Sequence, residues 1–309
     1  MGSVVMLNVI TASTGLQPFL QGPPWEGQIA AVFHRSILCT APDEHLLHLQ
    51  TGPRLASPFS LRLAADFANI LHATPLLQGM PVHKHDRMIA IAANVHLRLE
   101  TSTYYQSPRY LPVDVEPAAI RHARHILTLY GRVGGFDQLP GAHTIGHIMH
   151  QALANSNAAQ MLSAACHLIG RGPGLTPSGD DFLVGCLRGL WLMHKHAPVA
   201  RRMLDHLQDA LLPNLDARTT RVGAEFIRYA LDGAFAEVLD QAALALLAPV
   251  HLPVVQSPVS HLLAQGETSG TDTMLGLLTC LEALSPIPER QPRPERQDAA
   301  TTLLPSTTI

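Results

Sequence analysis

The sequence predicts an α+β fold: a strand-rich N-terminal domain, barrel-like or a sandwich, over residues 1–115, then an all-helical domain over 116–284, and a disordered tail over 285–309. Three observations carry this reading. Short alternating apolar runs punctuated by Gly, Pro and Asp fill the first third, the apolar period lengthens to a helical one near residue 115, and periodicity vanishes after residue 284. At 309 residues the chain also exceeds what one hydrophobic core usually holds, so two domains of ordinary size are expected.

The expected strands are "VVMLNVI", "IAAVFHRSILCT", "HLLHL", "FSLRL" and "VHLRL". Phe59, Leu61 and Leu63 point one way while Ser60 and Arg62 point the other; Val95, Leu97 and Leu99 repeat this against His96 and Arg98, as in a half-buried sheet. One helix is expected over residues 64–73, "AADFANILHA". The texture changes at "VEPAAIRHARHILTLYG": Pro117 suits a first helical turn, Ile120, Ala123, Leu127 and Tyr130 recur at helical spacing, and Gly131 is placed to end the helix. About eight further helices follow by the same criteria. The tail "SPIPERQPRPERQDAATTLLPSTTI" is rich in Pro, Arg, Glu and Thr and has no period.

A hydrophobic fraction of 47% and a net charge of -3 argue against a disordered chain and against a nucleic-acid binder with a basic surface. Small molecules or other proteins are the expected partners. No apolar run reaches membrane-spanning length and the first residues lack a signal-peptide pattern, so no membrane partner and a cytoplasmic location are expected. Cys39, Cys166, Cys186 and Cys280 form no Cys-x-x-Cys pair and read as reduced core residues. Among the 18 histidines, His143, His147 and His150 share one helix face, but no carboxylate or cysteine lies near them, which favours polar packing over metal ligation. The two "HKH" stretches, at 83–85 and 194–196, read as exposed.

The chemistry-bearing signal is a repeated turn. "GRGPGLTPSGDDFLVG" at 170–185 and "GETSGTDTMLG" at 266–276 align without a gap, Ser178 on Ser269 and Asp181 on Asp272, and both continue as Ser-Gly-x-Asp-x-x-x-Gly-x-Leu. Helix capping explains the Ser and Asp residues: Ser is a favoured N-cap, and an acid three positions on reaches back to the cap amide. It leaves Gly179, Gly185, Gly270 and Gly276 unexplained, because glycine inside a helix costs about 0.5–1 kcal/mol relative to Ala. Gly185 and Gly189, four apart, would let another helix pack closely. The simplest geometry is two equivalent helix starts packed about a local pseudo-twofold, both positive ends converging on one pocket.

The first copy carries more. Gly170, Gly172 and Gly174 alternate with Arg171 and Pro173 ahead of Leu175, Thr176 and Pro177, giving a loop whose amides can cradle an anion at a helix start. Candidate phosphate or substrate binders are therefore Arg171, Gly172, Gly174, Thr176, Ser178 and Gly179, with Ser269 and Gly270 from the second copy. Asp180, Asp181 and Asp272 are the candidate catalytic acids. Adjacent carboxylates beside an anion need an offset: a bound Mg²⁺ on Asp180 and Asp181, an arginine such as Arg171 or Arg188, or protonation of one carboxyl, which makes it a general acid. No cofactor is certain, and Mg²⁺ is the candidate. Thr219 and Thr220, with Arg218 and Arg221, either line the pocket or form a helix start capped by Asp216. The loop lacks the lysine of a Walker-type motif.

The Gly-Pro-Gly-Leu-Thr-Pro-Ser-Gly-Asp-Asp block, the later "SGTDTMLG", the Thr219–Thr220 helix with its "DGAF" turn and the strand-rich start together resemble a bacterial family first catalogued as a domain of unknown function. Its characterised member is a subunit of oxamate carbamoyltransferase. The resemblance covers most of residues 1–284 and implies phosphorolysis of oxalurate to oxamate and carbamoyl phosphate in anaerobic allantoin breakdown. It also implies two other subunit types, one of them resembling succinyl-CoA synthetase-like proteins. Some relatives are labelled carboxylases, which leaves the substrate open. Two rival readings stand beside this one: a non-catalytic assembly or regulatory subunit that binds an anion or nucleotide, and an ATP- and Mg²⁺-dependent ligase, kinase or carboxylase-like enzyme.

Overall fold

The computed structural model describes residues 4–51, 55–64, 69–70, 74–100, 103–109, 115–247 and 252–285. The strand-rich half is a closed barrel. Strands β1 (Val5–Ser13), β2 (Trp25–Phe33), β3 (Ser36–Thr40), β4 (Leu46–Thr51), β5 (Ser60–Leu63), β6 (Pro81–His85), β7 (Met88–Ile91) and β8 (Val95–Arg98) join in the order β1-β5-β4-β3-β2-β6-β7-β8 and return to β1. A ninth strand, β9 (Thr103–Tyr105), pairs with Thr11–Ser13 of β1, past the stretch Val5–Asn8 that pairs with β8.

Closure depends on the two long strands. β2 pairs with β6 through Trp25–Gln28 and with β3 from Ile29 onward; β1 pairs with β8 through its first half and with β5 through its second. Each changes partner at a register shift, between Ile29 and Ala31 in β2 and between Val9 and Thr11 in β1. Bulges there supply the bend a barrel corner needs, and the closed ring protects strand edges that would otherwise pair with other chains. Leu7, Val9, Ile29, Leu49, Leu61, Val82 and Ile89 belong to its core. Ser60, expected on a solvated face, is 1% exposed instead, its hydroxyl accepting from the Ser57 amide at 2.9 Å and lying 3.4 Å from that of Ser13.

A short helix, α1 (Gln17–Gln21), connects β1 to β2. The helical half comprises, among the described residues, α2 (Pro117–Tyr130), α3 (Ala142–Ala154), α4 (Ala158–Leu168), α5 (Ser178–Met193), α6 (Pro198–Leu211), α7 (Arg221–Leu231), α8 (Glu237–Leu244), α9 (Leu252–Leu263) and α10 (Ser269–Leu284). In α2, Pro117 opens the helix, Glu116 caps it by accepting from the Ala118 amide at 3.0 Å, and Ile120, Ala123 and Leu127 are buried. Tyr130, expected on the apolar face, is 60% exposed because the helix ends there and the chain turns away at Gly131. The α7 start is capped by Thr220, which accepts from the Gly223 amide at 3.0 Å, and not by Asp216, which pairs with Arg228 at 2.7 Å. His143 and His147 are exposed on α3. Among the described residues no helix is long and apolar enough to cross a membrane. All four cysteines are free, and Cys39, Cys186 and Cys280 are buried. The helix expected over 64–73 lies largely outside the described residues, as does the tail beyond Ser285.

The helices dock on the barrel mainly through α7 and α8. Glu225 is buried and takes the His45 ring at 3.0 Å, the Leu46 amide at 3.1 Å and Arg228. Phe59 packs on Phe226 and Tyr229 with ring centroids 4.9 and 5.7 Å away. Ala56 and Glu237 exchange two hydrogen bonds, amide to carboxylate at 3.0 Å and amide to carbonyl at 2.8 Å. Arg188, which is fully buried in α5, pairs with Asp240 of α8 at 2.7 Å and donates to the Pro108 carbonyl at 3.2 Å, while the Tyr105 hydroxyl donates to Asp240. Its charge is therefore spent on Asp240 and not on Asp180 or Asp181.

Candidate functional site

The two Ser-Gly turns meet where α5 crosses α10. A Cβ built on Gly185 would sit 1.9 Å from the Thr273 carbonyl oxygen, and one built on Gly276 would sit 1.9 Å from that of Phe182. Phe182 and Thr273 are themselves equivalent in the repeat, so the two contacts interchange under a pseudo-twofold. Gly179 and Gly270 are likewise pressed against carbonyl oxygens near the ends of the preceding helices, those of Leu168 and Leu262, with virtual Cβ distances of 2.1 and 1.8 Å. Only glycine allows these backbones so close.

The serines do not cap their own helices. Pro177 and Thr268 occupy the cap positions, without side-chain cap bonds, and each serine lies one residue inside. Across the crossing, the hydroxyl of Ser269 faces Asp181 and that of Ser178 faces Asp272, each working to lower the pKa of the carboxyl on the other helix. The Ser-x-x-Asp spacing thus sets each serine opposite the acid of the other helix. The close glycine packing brings the partner's carboxyl within reach of each hydroxyl.

The two halves differ in what covers them. Asp272 is 2% exposed, accepts from the Phe136 amide at 2.8 Å, and is covered by Gly135, whose virtual Cβ would lie 2.4 Å from Oδ2. Burial raises its pKa against the bonds from Phe136 and Ser178. Asp181 instead keeps part of its surface on a cavity, beside Thr176 and Ser269, whose hydroxyl oxygens are 3.0 Å apart. Desolvation, helped by the charges of Asp272 and Asp180, outweighs the Ser269 and Thr176 bonds and pushes its carboxyl up to about 8. Its Oδ2 is buried and has no hydrogen-bond partner among the described residues.

Asp180 points elsewhere. It is 1% exposed, accepts from the Gly170 amide at 2.7 Å and from the Thr219 hydroxyl, and so ties the glycine loop and the α7 start to α5. Burial raises its pKa against both bonds. The adjacent acids therefore do not converge on a shared ligand. Among the described residues no group of three His, Cys, Asp or Glu side chains could hold a metal ion.

Part of the expected amide cradle is committed within the fold. Gly170, Gly172 and Gly174 all adopt positive φ, at 77°, 113° and 93°. The Gly170 amide serves Asp180, the Gly179 amide donates to the Arg171 carbonyl at 2.8 Å, and the Gly270 amide to that of Gln265 at 3.1 Å. Arg171 lies against the His167 ring at 2.6 Å. Thr219 and Thr220 serve Asp180 and the Leu175 carbonyl and are not cavity-lining residues.

The cavity measures about 1050 Å³ and lies between the α5 and α10 starts, the α7–α8 turn, the end of α9 and the barrel wall. The helix starts contribute Thr176, Asp181, Ser269 and Gly270; the barrel contributes Arg35, His48 and Gln50; His261 stands at the α9 end; Val184, Phe226, Phe235 and Leu239 make an apolar floor. Gln50 is 6% exposed and its Oε1 has no hydrogen-bond partner among the described residues, while its Nε2 lies 3.2 Å from His48 Nδ1. Sequence reasoning missed this barrel wall. The available signal was the strand "LLHLQT", which sets His48 and Gln50 on the face opposite Leu47 and Leu49.

Two family models match the chain: oxamate carbamoyltransferase subunit AllH over residues 168–281, and the AllH family N-terminal domain over residues 8–104. The first spans the end of α4 to α10 and so includes both Ser-Gly turns; the second spans the barrel. No solved structure matches the chain.

Proposed function

The chain belongs to the family of oxamate carbamoyltransferase subunit AllH, and from that premise we propose that the cavity at the crossed helix starts handles the small anions of carbamoyl transfer, with Asp181 as its proton donor. The observation that carries this is the placement of Asp181: a cavity-facing carboxyl pushed up to about 8 by burial, next to the Thr176 and Ser269 hydroxyls. A carboxyl that stays protonated at neutral pH neither repels an anionic ligand nor lacks a proton to give.

In the phosphorolytic direction, a phosphate oxygen attacks the ureido carbonyl of oxalurate, the carbonyl–nitrogen bond to oxamate breaks, and the departing nitrogen takes the proton from Asp181. In the reverse direction the oxamate nitrogen attacks the carbonyl carbon of carbamoyl phosphate, the carbon–oxygen bond to phosphate breaks and phosphate leaves, and the Asp181 carboxylate accepts the nitrogen's proton. Thr176 and Ser269 supply neutral hydroxyls to the ligand, and Arg35 and His261 supply cationic or dipolar partners at the wall. Asp180 and Asp272 serve as positioning residues that fix the loop and the helix crossing. Other subunits complete the enzyme in this reading, as the family's description as a subunit suggests.

The test is Asp181→Asn in the reconstituted multi-subunit complex, with turnover and anion binding measured separately. Asparagine copies the neutral acid's shape without a transferable proton, so anion binding should persist while turnover falls by about 10²–10⁴-fold. Unchanged turnover in an assembled complex would assign this chain an assembly role instead.

A further inference from the structure

The barrel carries a second polar cavity, at a mouth away from the helix starts. It measures about 560 Å³ and is lined by Leu20, Gln21, Gly22, Lys84, Asp86, Arg87, Leu99, Glu100 and Tyr104. Its unusual member is Lys84. The side chain alternates inward with Val82 on β6, beside Trp25 of β2, and is 2% exposed. Its ammonium donates to the Gly22 carbonyl at 2.5 Å, and that is the one hydrogen bond it makes among the described residues.

An ammonium carries three donors and a full charge, and burying it without a counter-charge costs several kcal/mol. Asp86 and Glu100 stand on the cavity wall, yet among the described residues neither forms an ion pair with Lys84. Arg87 adds a second cation, and the Tyr104 hydroxyl, 3.5 Å from Gln21 Nε2, adds a neutral donor. The cavity thus presents two cations and a neutral hydroxyl, with the acids at its exposed edge.

We infer that this barrel mouth is a binding site for a small carboxylate or phosphate anion, seated on the Lys84 ammonium. It shares none of its lining residues with the cavity of Asp181, and the inference holds whether or not Asp181 transfers a proton. The exposed acids at the rim set a preference for small anions over extended polyanions, which they would repel.

The test is an amide NMR titration of the full chain with inorganic phosphate and, in a second arm, with oxamate, which separates the two anion chemistries. Saturable shifts of the Gly22, Leu99 and Tyr104 amides are expected with at least one of them. Lys84→Met should weaken that binding by about tenfold to a hundredfold without lowering thermal stability, since an apolar side chain replaces a buried charge that has no ion pair among the described residues. Asp181→Asn should leave these shifts in place. Absence of saturable shifts at these amides in the wild-type chain would overturn the inference, even if Lys84→Met failed to fold, and so would equal binding by a folded Lys84→Met chain.

Discussion

Replacing Asp181 with asparagine removes one titration and leaves its neighbours' in place, and the effect on stability can be worked out from the site. Burial moves the Asp181 carboxyl from 3.8 to about 8. Between those values the folded chain holds a proton that the unfolded chain releases, so stability falls as pH rises. The contribution is complete below the unfolded value and is lost as pH passes through the folded one. The slope approaches about 1.4 kcal/mol per pH unit. Between about pH 5 and pH 7 the wild type should therefore lose about 3 kcal/mol relative to Asp181→Asn. Asp180 and Asp272, whose values are raised in the same direction, are present in both chains and largely cancel. Urea unfolding of the two chains across that range gives the difference directly. A difference that does not change with pH would refute the reasoning.

Gly276→Ala and Gly185→Ala each place a methyl 1.9 Å from a backbone carbonyl, so α5 and α10 must separate. Each should cost about 1–3 kcal/mol or more, read by thermal melts. Arg188→Met leaves Asp240 buried without its cation and should cost about 3–5 kcal/mol in denaturant unfolding, with much of the loss recovered when Asp240 is also replaced by leucine. Thr219→Val strips a hydroxyl from the buried Asp180 and should cost about 1–3 kcal/mol, with increased amide exchange in residues 170–176 as a second readout. In the reconstituted enzyme, the phosphorolytic rate should fall above about pH 8 as Asp181 ionises, seen in a pH–rate profile of kcat.

The repeated Ser-Gly-x-Asp pattern was legible because a glycine inside a helix weakens it unless another backbone packs closely there, and the helix crossing these glycines imply is where the sequence places it. The destination of each serine was not. Ser178 at the cap and Ser178 one residue inside give the same local pattern, and the carboxyl it meets lies on the other helix, at Asp272. The roles of Asp180 and Asp181 diverge for a related reason: neighbours on a helix point about 100° apart, so one reaches Gly170 and Thr219 while the other reaches the cavity. Strand runs such as "FSLRL" announced a sheet, but closure rests on β1 and β2 each serving two partners, which alternation alone does not encode. His48 and Gln50 form a cavity wall because the helical half covers that side of the barrel, which the strand's own alternation does not encode.

The central claim is that Asp181 keeps its proton at neutral pH while facing the cavity. A ¹³C NMR titration of the aspartate carboxyls in the intact chain, with the resonance assigned by its loss in Asp181→Asn, measures this most directly. A midpoint near 8 is the result predicted. A midpoint near the ordinary carboxylate value of about 4 would leave Asp181 ionised at pH 7, without a proton to donate, and would contradict its assignment as the acid of the site.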